Sequence, residues 1–294
     1  MNIVQSIIDA LSQGALYGLG ALGIGLVFGV MRLANFAHGE LITAGAYTMV
    51  LTWGPYGPVV AVLLTGVVCV VLAVLMQLVV FRWLRGAGAA TLLIASFGLS
   101  FLLQKVYENI FGNNVRAAPV GGPLATYMDI GGLRVQYLTL VTIVATAVLL
   151  VLLHLFLNRS AWGLHVQAAS SDFRTARLLG VRAGRVIALT FGIAGVLGAV
   201  VAFVLTVQRG AVDPGFGVSF TVLALIGAVI GGIDKLWGAL VGGFVVGFVL
   251  SQLSTWLPQG ISEYRNAFVF ALVIAILLFK PNGLLQARNA AERA

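Results

Sequence analysis

Residues 59–80 read VVAVLLTGVVCVVLAVLMQLVV, twenty-two positions without a charge. Wound as an α-helix at 1.5 Å per residue, such a run reaches about 30 Å, the thickness of a bilayer's hydrocarbon core. A soluble surface helix would show a polar face and a membrane β-strand would alternate, and this run does neither. Outward from it, blocks of the same character recur at 10–30, 41–53, 91–104, 137–157, 186–207, 218–233, 236–256 and 267–279. Several are too short to cross a membrane alone. The composition agrees: 60% of the 294 residues are apolar, 9% are charged, and the mean hydropathy is +1.06, whereas soluble domains carry about 25% charged residues. The expected fold is an all-α, polytopic membrane helix bundle over 1–294, with about eight or nine segments, some short or broken.

The 37 glycines recur at a four-residue spacing, as in Gly14/Gly18, Gly25/Gly29, Gly227/Gly231, Gly238/Gly242 and Gly243/Gly247. Small residues so spaced let helix backbones approach closely in lipid. The single cysteine, Cys69, excludes an intrachain disulfide and a cysteine-built zinc site, and no metal site is expected. No basic stretch precedes the first apolar run, so an uncleaved first helix is expected rather than a signal peptide. Basic residues then orient the bundle. Arg82 and Arg85, then Arg159, Arg174, Arg177, Arg182 and Arg185, then Lys280, Arg288 and Arg293 mark three cytoplasmic regions. Two apolar segments separate the first pair of regions and four the second, so the parity is consistent. The C-terminus falls in the cytoplasm and the N-terminus outside. The net charge of +8 is a topology signal directed at anionic lipid, not at nucleic acid. Residues 105–136 become a periplasmic loop in which Met128 to Val135 reads as a hairpin turning at Gly131-Gly132.

Two places break the apolar pattern. Met31-Arg32-Leu33-Ala34-Asn35-Phe36-Ala37-His38-Gly39-Glu40 places ionisable groups between the first two segments. Irregular backbone at membrane depth survives only where protein buries it or where it lines a watery cavity. Asn35, His38, Gly39 and Glu40 are thus candidates for the translocation pathway or for a supporting network, an ordinary capped turn being the plain alternative. Gly231 to Gly238, with Asp234 and Lys235 between glycine-studded runs, has a similar order of residue types and hints at two related halves.

Residues 158–185 form a cytoplasmic loop with a helical run from Leu164 to Leu179 and a C-cap at Gly180. Asp172, Arg174 and Arg177 supply a polar face; Ala168, Ala169, Ala176, Leu178 and Leu179 supply a small apolar one. Such a helix suits a groove on a partner protein, or else lies on the surface as a linker.

Gly163, Ala168-Ala169, Asp172 and Ala176-Arg177-Leu178-Leu179-Gly180-Val181 resemble the coupling loop of ABC importer permeases. Asn35 to Glu40 with Gly45-Ala46-Tyr47, and the ending from Tyr264-Arg265-Asn266 to Lys280-Pro281-Asn282-Gly283-Leu284, are similar to branched-chain amino acid permeases of the LivH type. The resemblance covers nearly the whole chain. It implies a subunit of the bacterial inner membrane that works with a second, LivM-like permease, two cytoplasmic ATPases carrying ATP and Mg, and a periplasmic solute-binding protein. The resemblance makes Gly163, Ala168, Ala169, Asp172, Arg177, Leu179 and Gly180 the expected ATPase-coupling residues, although Gln167 and Ser171 stand where such loops commonly carry Arg and an acid. The chain has no phosphate-binding loop: Lys105, Lys235 and Lys280 are its only lysines, and none sits in such a motif. It is therefore expected to be a passage without a cofactor or ATPase site of its own. Rival readings are a proton-coupled secondary transporter using His38 and Glu40, and an ABC permease for urea, amides or aromatic acids. A membrane enzyme is disfavoured, because His38, His154 and His165 show no metal or nucleophile spacing.

Overall fold

The computed structural model describes residues 3–84, 86–130, 133–233, 235–258, 260–261, 264–280 and 283–284. Arg85, the Gly131-Gly132 turn, Asp234, Pro281, Asn282, Arg288 and Arg293 lie outside the described residues. Each apolar segment read from the sequence is helical. The elements are α1 (Ile3–Met31), α2 (His38–Met76, continued by a π-turn over Gln77–Phe81), α3 (Ala89–Phe111), β1 (Arg116–Ala117), β2 (Tyr127–Ile130), β3 (Leu133–Gln136) and α4 (Tyr137–Arg159). They are followed by α5 (Ala161–Ser171), α6 (Phe173–Leu178), α7 (Ala183–Arg209), β4 (Ala211–Val212), α8 (Val218–Gly231), α9 (Leu236–Trp256) and α10 (Arg265–Phe279). Among the described residues six helices are long and apolar enough to cross a membrane, and α8 and α10 are shorter apolar helices.

Helix α2 is two limbs. Pro55 and Pro58 flank Gly57, which takes φ 80° and ψ 168°, a conformation only glycine adopts cheaply. The limbs fold back on each other: the Thr65 hydroxyl donates to the Gly45 carbonyl (3.4 Å) and the Cys69 thiol to the Leu41 carbonyl (3.2 Å). The sequence boundary between 41–53 and 59–80 is this reversal.

The centre of the bundle is α1 and α7, with α9 antiparallel to α1 and α2 along α7. Glycine sets the α1–α9 distance. A Cβ on Gly243 would stand 2.6 Å from the Tyr17 carbonyl, and one on Gly247 would stand 2.4 Å from that of Gln13. The outward sides of the second limb of α2, of α3, of α4 and of α10 are apolar and exposed, through residues such as Leu63, Ile94, Val144 and Ile274.

The two ends of the bundle differ. One carries the start of α1, the paired β2–β3 strands and the β1–β4 pair; the other carries the end of α1, α5 and α6. We call them the hairpin end and the loop end. The β2–β3 register, Ile130 opposite Leu133 and Met128 opposite Val135, is that of the expected hairpin.

A repeated order of elements emerges. Helix α1, an irregular stretch at 32–37, the first limb of α2, its second limb and α3 follow one another. Helix α7, an irregular stretch at 210–217, α8, α9 and α10 follow in the same order, running the opposite way through the bundle. The counterpart of the first break is therefore 210–217. The 231–238 break, which sequence composition had paired with it, is instead the tight turn between α8 and α9: a Cβ on Gly231 would lie 1.8 Å from the Gly238 carbonyl.

Candidate functional site

The break at 32–40 turns back into the bundle. After Met31 the chain returns so that His38 lies beside Gly23, eight residues back along α1, where a Cβ would meet the imidazole at 3.1 Å. The stretch at 210–217 does the same from the hairpin end, and Phe220 lies over Gly20 and stacks on Tyr17 at 4.5 Å. The starts of the first α2 limb and of α8 meet at this depth, where neither Gly39 nor Gly217 has room for a side chain. A Cβ on Gly217 would lie 2.0 Å from the Gly39 carbonyl, and the Gly217 N–H donates to the Thr43 hydroxyl (3.0 Å).

One face of α3 serves this break. The Ser100 hydroxyl (2.8 Å) and the Gln104 amide (3.1 Å) donate to Glu40 Oε1, the Tyr107 hydroxyl donates to the Glu40 carbonyl (2.9 Å), and the Ser96 hydroxyl donates to the Ala34 carbonyl (3.3 Å). The Asn35 side chain accepts from the Ala37 N–H (3.1 Å). Asn35, His38 and Glu40 are all buried to within 1% of full burial. Glu40 Oε2 and both ring nitrogens of His38 have no hydrogen-bond partner among the described residues. Ser96, Ser100, Gln104 and Tyr107 were missed by the sequence reading, although their spacing of four, four and three places them on one helical face.

At the loop end the expected single helix from Leu164 to Leu179 is two. Asp172 breaks it with extended backbone (φ −149°, ψ 100°) and caps α6, its carboxylate accepting from the Thr175 N–H (3.1 Å) and from the Thr175 hydroxyl. A short acceptor at this position competes with the helix for backbone donors and wins. Ser160 caps α5 by accepting from the Gly163 N–H (2.9 Å). Gly163 is pressed onto α4, where a Cβ would stand 2.1 Å from the Phe156 carbonyl. The Gln167 amide ties the same joint by donating to the Leu157 carbonyl (3.1 Å) and to Asn158 (2.9 Å). Ala169 is buried with Val166 and Ala176, whereas Ala168, Asp172 and Gly180 are exposed. Leu178 and Leu179 are 82% and 80% exposed. Gly180 has φ +88°, and the Val181 N–H bonds back to the Ala176 carbonyl (3.1 Å), a glycine C-cap. Arg177 is on α6, with its side chain outside the described residues.

The hairpin end holds a cavity of about 670 Å³. Its wall includes Gln5, Asp9, Gln13 and Tyr17 of α1, spaced by four on one face, with Arg209 from the end of α7 and Arg265 from the start of α10. Tyr17, Phe220 and Leu223 close its deep end. Asn35, His38, Gly39 and Glu40 are not among its lining residues. The α1 stripe is legible in principle, but the first apolar block begins at residue 10 and so leaves out Asp9.

Comparisons with known proteins follow the same lines. The family model "Branched-chain amino acid transport system / permease component" matches residues 6–277. The chain is 30% identical to the high-affinity branched-chain amino acid transport system permease protein BraD of Pseudomonas aeruginosa, over 97% of this chain and 96% of that protein. It is 28% identical to LivH of Escherichia coli, with the same coverage. A shorter likeness, 32% over 36% of this chain and 31% of its relative, links it to the fructose import permease FrcC of Rhizobium meliloti. No solved structure matches. With a family match along nearly all of a bundle of membrane-crossing helices, the chain belongs to the permease components of branched-chain amino acid ABC transport systems and is a multi-pass membrane protein.

Proposed function

We propose that this chain is the solute passage of an ATP-driven importer in a bacterial inner membrane, carrying branched-chain or similarly hydrophobic amino acids. In this reading the hairpin end is periplasmic and faces a solute-binding protein, while the loop end and the C-terminus are cytoplasmic. A second, LivM-like permease pairs with the chain, and two ATPases, with their ATP and Mg, seat on α5–α6.

One observation carries the reading. Leu178 at the end of the six-residue α6 and Leu179 in the turn just after it are exposed beyond the end of α4, yet the adjoining α5 is locked to α4 through Ser160, Gly163 and Gln167. Apolar side chains held in water on a rigid mount mark a protein contact. A push on such a mount is passed to α4 rather than absorbed, as coupling by rigid-body rocking requires. Gln167 spends its side chain on this joint, which accounts for an uncharged residue there.

Ala168→Arg adds a long cation to an exposed position, and Gly180→Val opposes positive φ, where a β-branched residue is an outlier. Both variants are expected to leave the membrane bundle folded, to lower recovery of co-purified ATPases, and to abolish uptake in reconstituted vesicles. Ser171→Ala, which loses only a hydrogen bond to the Gln167 carbonyl, is expected to be mild. Full ATPase recovery and uptake in both disruptive variants would remove the coupling role from this loop.

A further inference from the structure

We propose that the hairpin-end cavity is a binding site for a free, zwitterionic amino acid, with Arg209 and Arg265 taking its carboxylate, Asp9 its ammonium group, and the Tyr17–Phe220–Leu223 floor its apolar side chain. The proposal rests on the amino-acid permease reading and assigns residues to it.

The cavity has the size of small-molecule sites, which run roughly from 300 to 1,000 Å³ against about 670 Å³ here. Its chemistry is graded with depth. Asp9 and Tyr17 are eight residues apart on α1, about 12 Å along the axis. A small solute therefore touches the charged mouth and the aromatic floor at once when side chains reach in from both. Arg209 is held ready, its guanidinium donating to the Phe216 carbonyl (3.3 Å) and lying over the Phe216 ring at 4.8 Å. Both Arg209 and Arg265 come within electrostatic reach of Tyr17. Neither Asp9 nor Arg265 forms a salt bridge among the described residues.

Charges left unpaired in a membrane bundle point to a pathway or a ligand. Three guanidiniums line the cavity, those of Arg134, Arg209 and Arg265, and the pair from the helix ends, Arg209 and Arg265, suits a carboxylate, because their planar forks match its two oxygens. The Gln13 amide donates to Gln208 Oε1 at 3.4 Å, which leaves the Gln13 amide oxygen, one helical turn from Asp9, to accept from an ammonium. Below the floor, Phe220 rests on Gly20, where a Cβ would approach within 2.5 Å of the ring. The site is thus closed on its far side in this conformation.

The test uses the assembled transporter in nanodiscs without the solute-binding protein, with radiolabelled L-leucine as probe. Saturable binding is expected, competed by unlabelled L-leucine and poorly by L-leucinamide, which lacks the carboxylate. Losing a charge-assisted bond in Arg265→Gln is expected to weaken binding about tenfold or more, with Arg265→Lys partly restoring it and Asp9→Asn also weakening it. Lys105→Gln, remote from the cavity, is the control. Equal competition by leucinamide, unchanged binding in Arg265→Gln and Arg209→Gln, or no binding by the wild type would overturn the site. So would Arg variants that lose only affinity for the binding protein, which would make the arginines a docking contact. Failure of the underlying reading shows differently: with its binding protein present, the wild-type transporter would take up no branched-chain amino acid while still coupling ATP hydrolysis to that protein.

Discussion

Two glycines mark where a single methyl group is too much. At Gly163 an added Cβ would overlap the Phe156 carbonyl at 2.1 Å, and at Gly217 it would overlap the Gly39 carbonyl at 2.0 Å. In both cases backbone is what it meets, so no rotamer change relieves the clash, and overpacking typically costs about 1–3 kcal/mol. The consequences should separate by location. Gly163→Ala should shift α5 off α4 and weaken ATPase association while the detergent-solubilised protein melts nearly as the parent does. Gly217→Ala should lower the melting temperature, because it pries apart two half-length helices in the middle of the bundle. Equal melting temperatures for both variants and the parent would mean that the helices slide apart freely at these points. Sequence pattern singled out Gly163 by resemblance. It could not single out Gly217, because which carbonyl a glycine faces is settled by a partner 178 positions earlier, Gly39.

Among the elements, α3 shows best what hydropathy conceals. Its apolar score located it, but the sequence reading stopped at residue 104 where Lys105 and Glu108 begin. The structure continues the helix to Phe111, with Lys105 and Glu108 paired at 2.5 Å one turn apart. A short salt-bridged turn extends a helix that a charge count truncates. The polar face of α3 matters more, since Ser100 and Gln104 satisfy one oxygen of the buried Glu40. A double-mutant cycle isolates that contact. Gln104→Leu strips a donor from a buried carboxylate, a loss of about 1–3 kcal/mol. Glu40→Leu removes the acceptor and leaves the amide only its bond to the Ser100 hydroxyl (3.1 Å), and the double variant removes both partners of the contact. The combined loss is expected to fall short of the sum by at least about 0.5 kcal/mol in thermal or denaturant unfolding. Additive losses would show that Glu40 draws its stability from elsewhere. The nine apolar blocks were readable because each is an uncharged run, and bilayer thickness dictates the length of the longer ones. The break at Asp172 was not, because one carboxylate choosing backbone donors over the helix is a local competition that composition does not weigh.

For the whole molecule, the recurrence of long helix, irregular stretch, half-length helix and two further helices makes a strong claim about orientation. The two series run in opposite senses, so their re-entrant stretches come from opposite faces, 32–37 from the loop end and 210–217 from the hairpin end. In the orientation we propose, the basic residues at 159–185 put the loop end in the cytoplasm. Cysteine labelling tests this directly, because the one native thiol, Cys69, is fully buried and gives a quiet background. Tyr127→Cys on β2 and Leu178→Cys on α6 replace side chains that are 59% and 82% exposed, so both thiols should react readily once reached. In intact cells whose outer membrane is made permeable, a charged, membrane-impermeant maleimide should label the Tyr127→Cys protein and spare the Leu178→Cys protein. Inverted inner-membrane vesicles should reverse the pattern. Labelling of both variants from one side would contradict the opposed ends of the bundle, since six residues of α6 cannot cross roughly 30 Å of hydrocarbon to reach the hairpin face. Labelling in the opposite order would keep the fold and turn it over, placing α5–α6 outside the cell, where no ATPase could drive it.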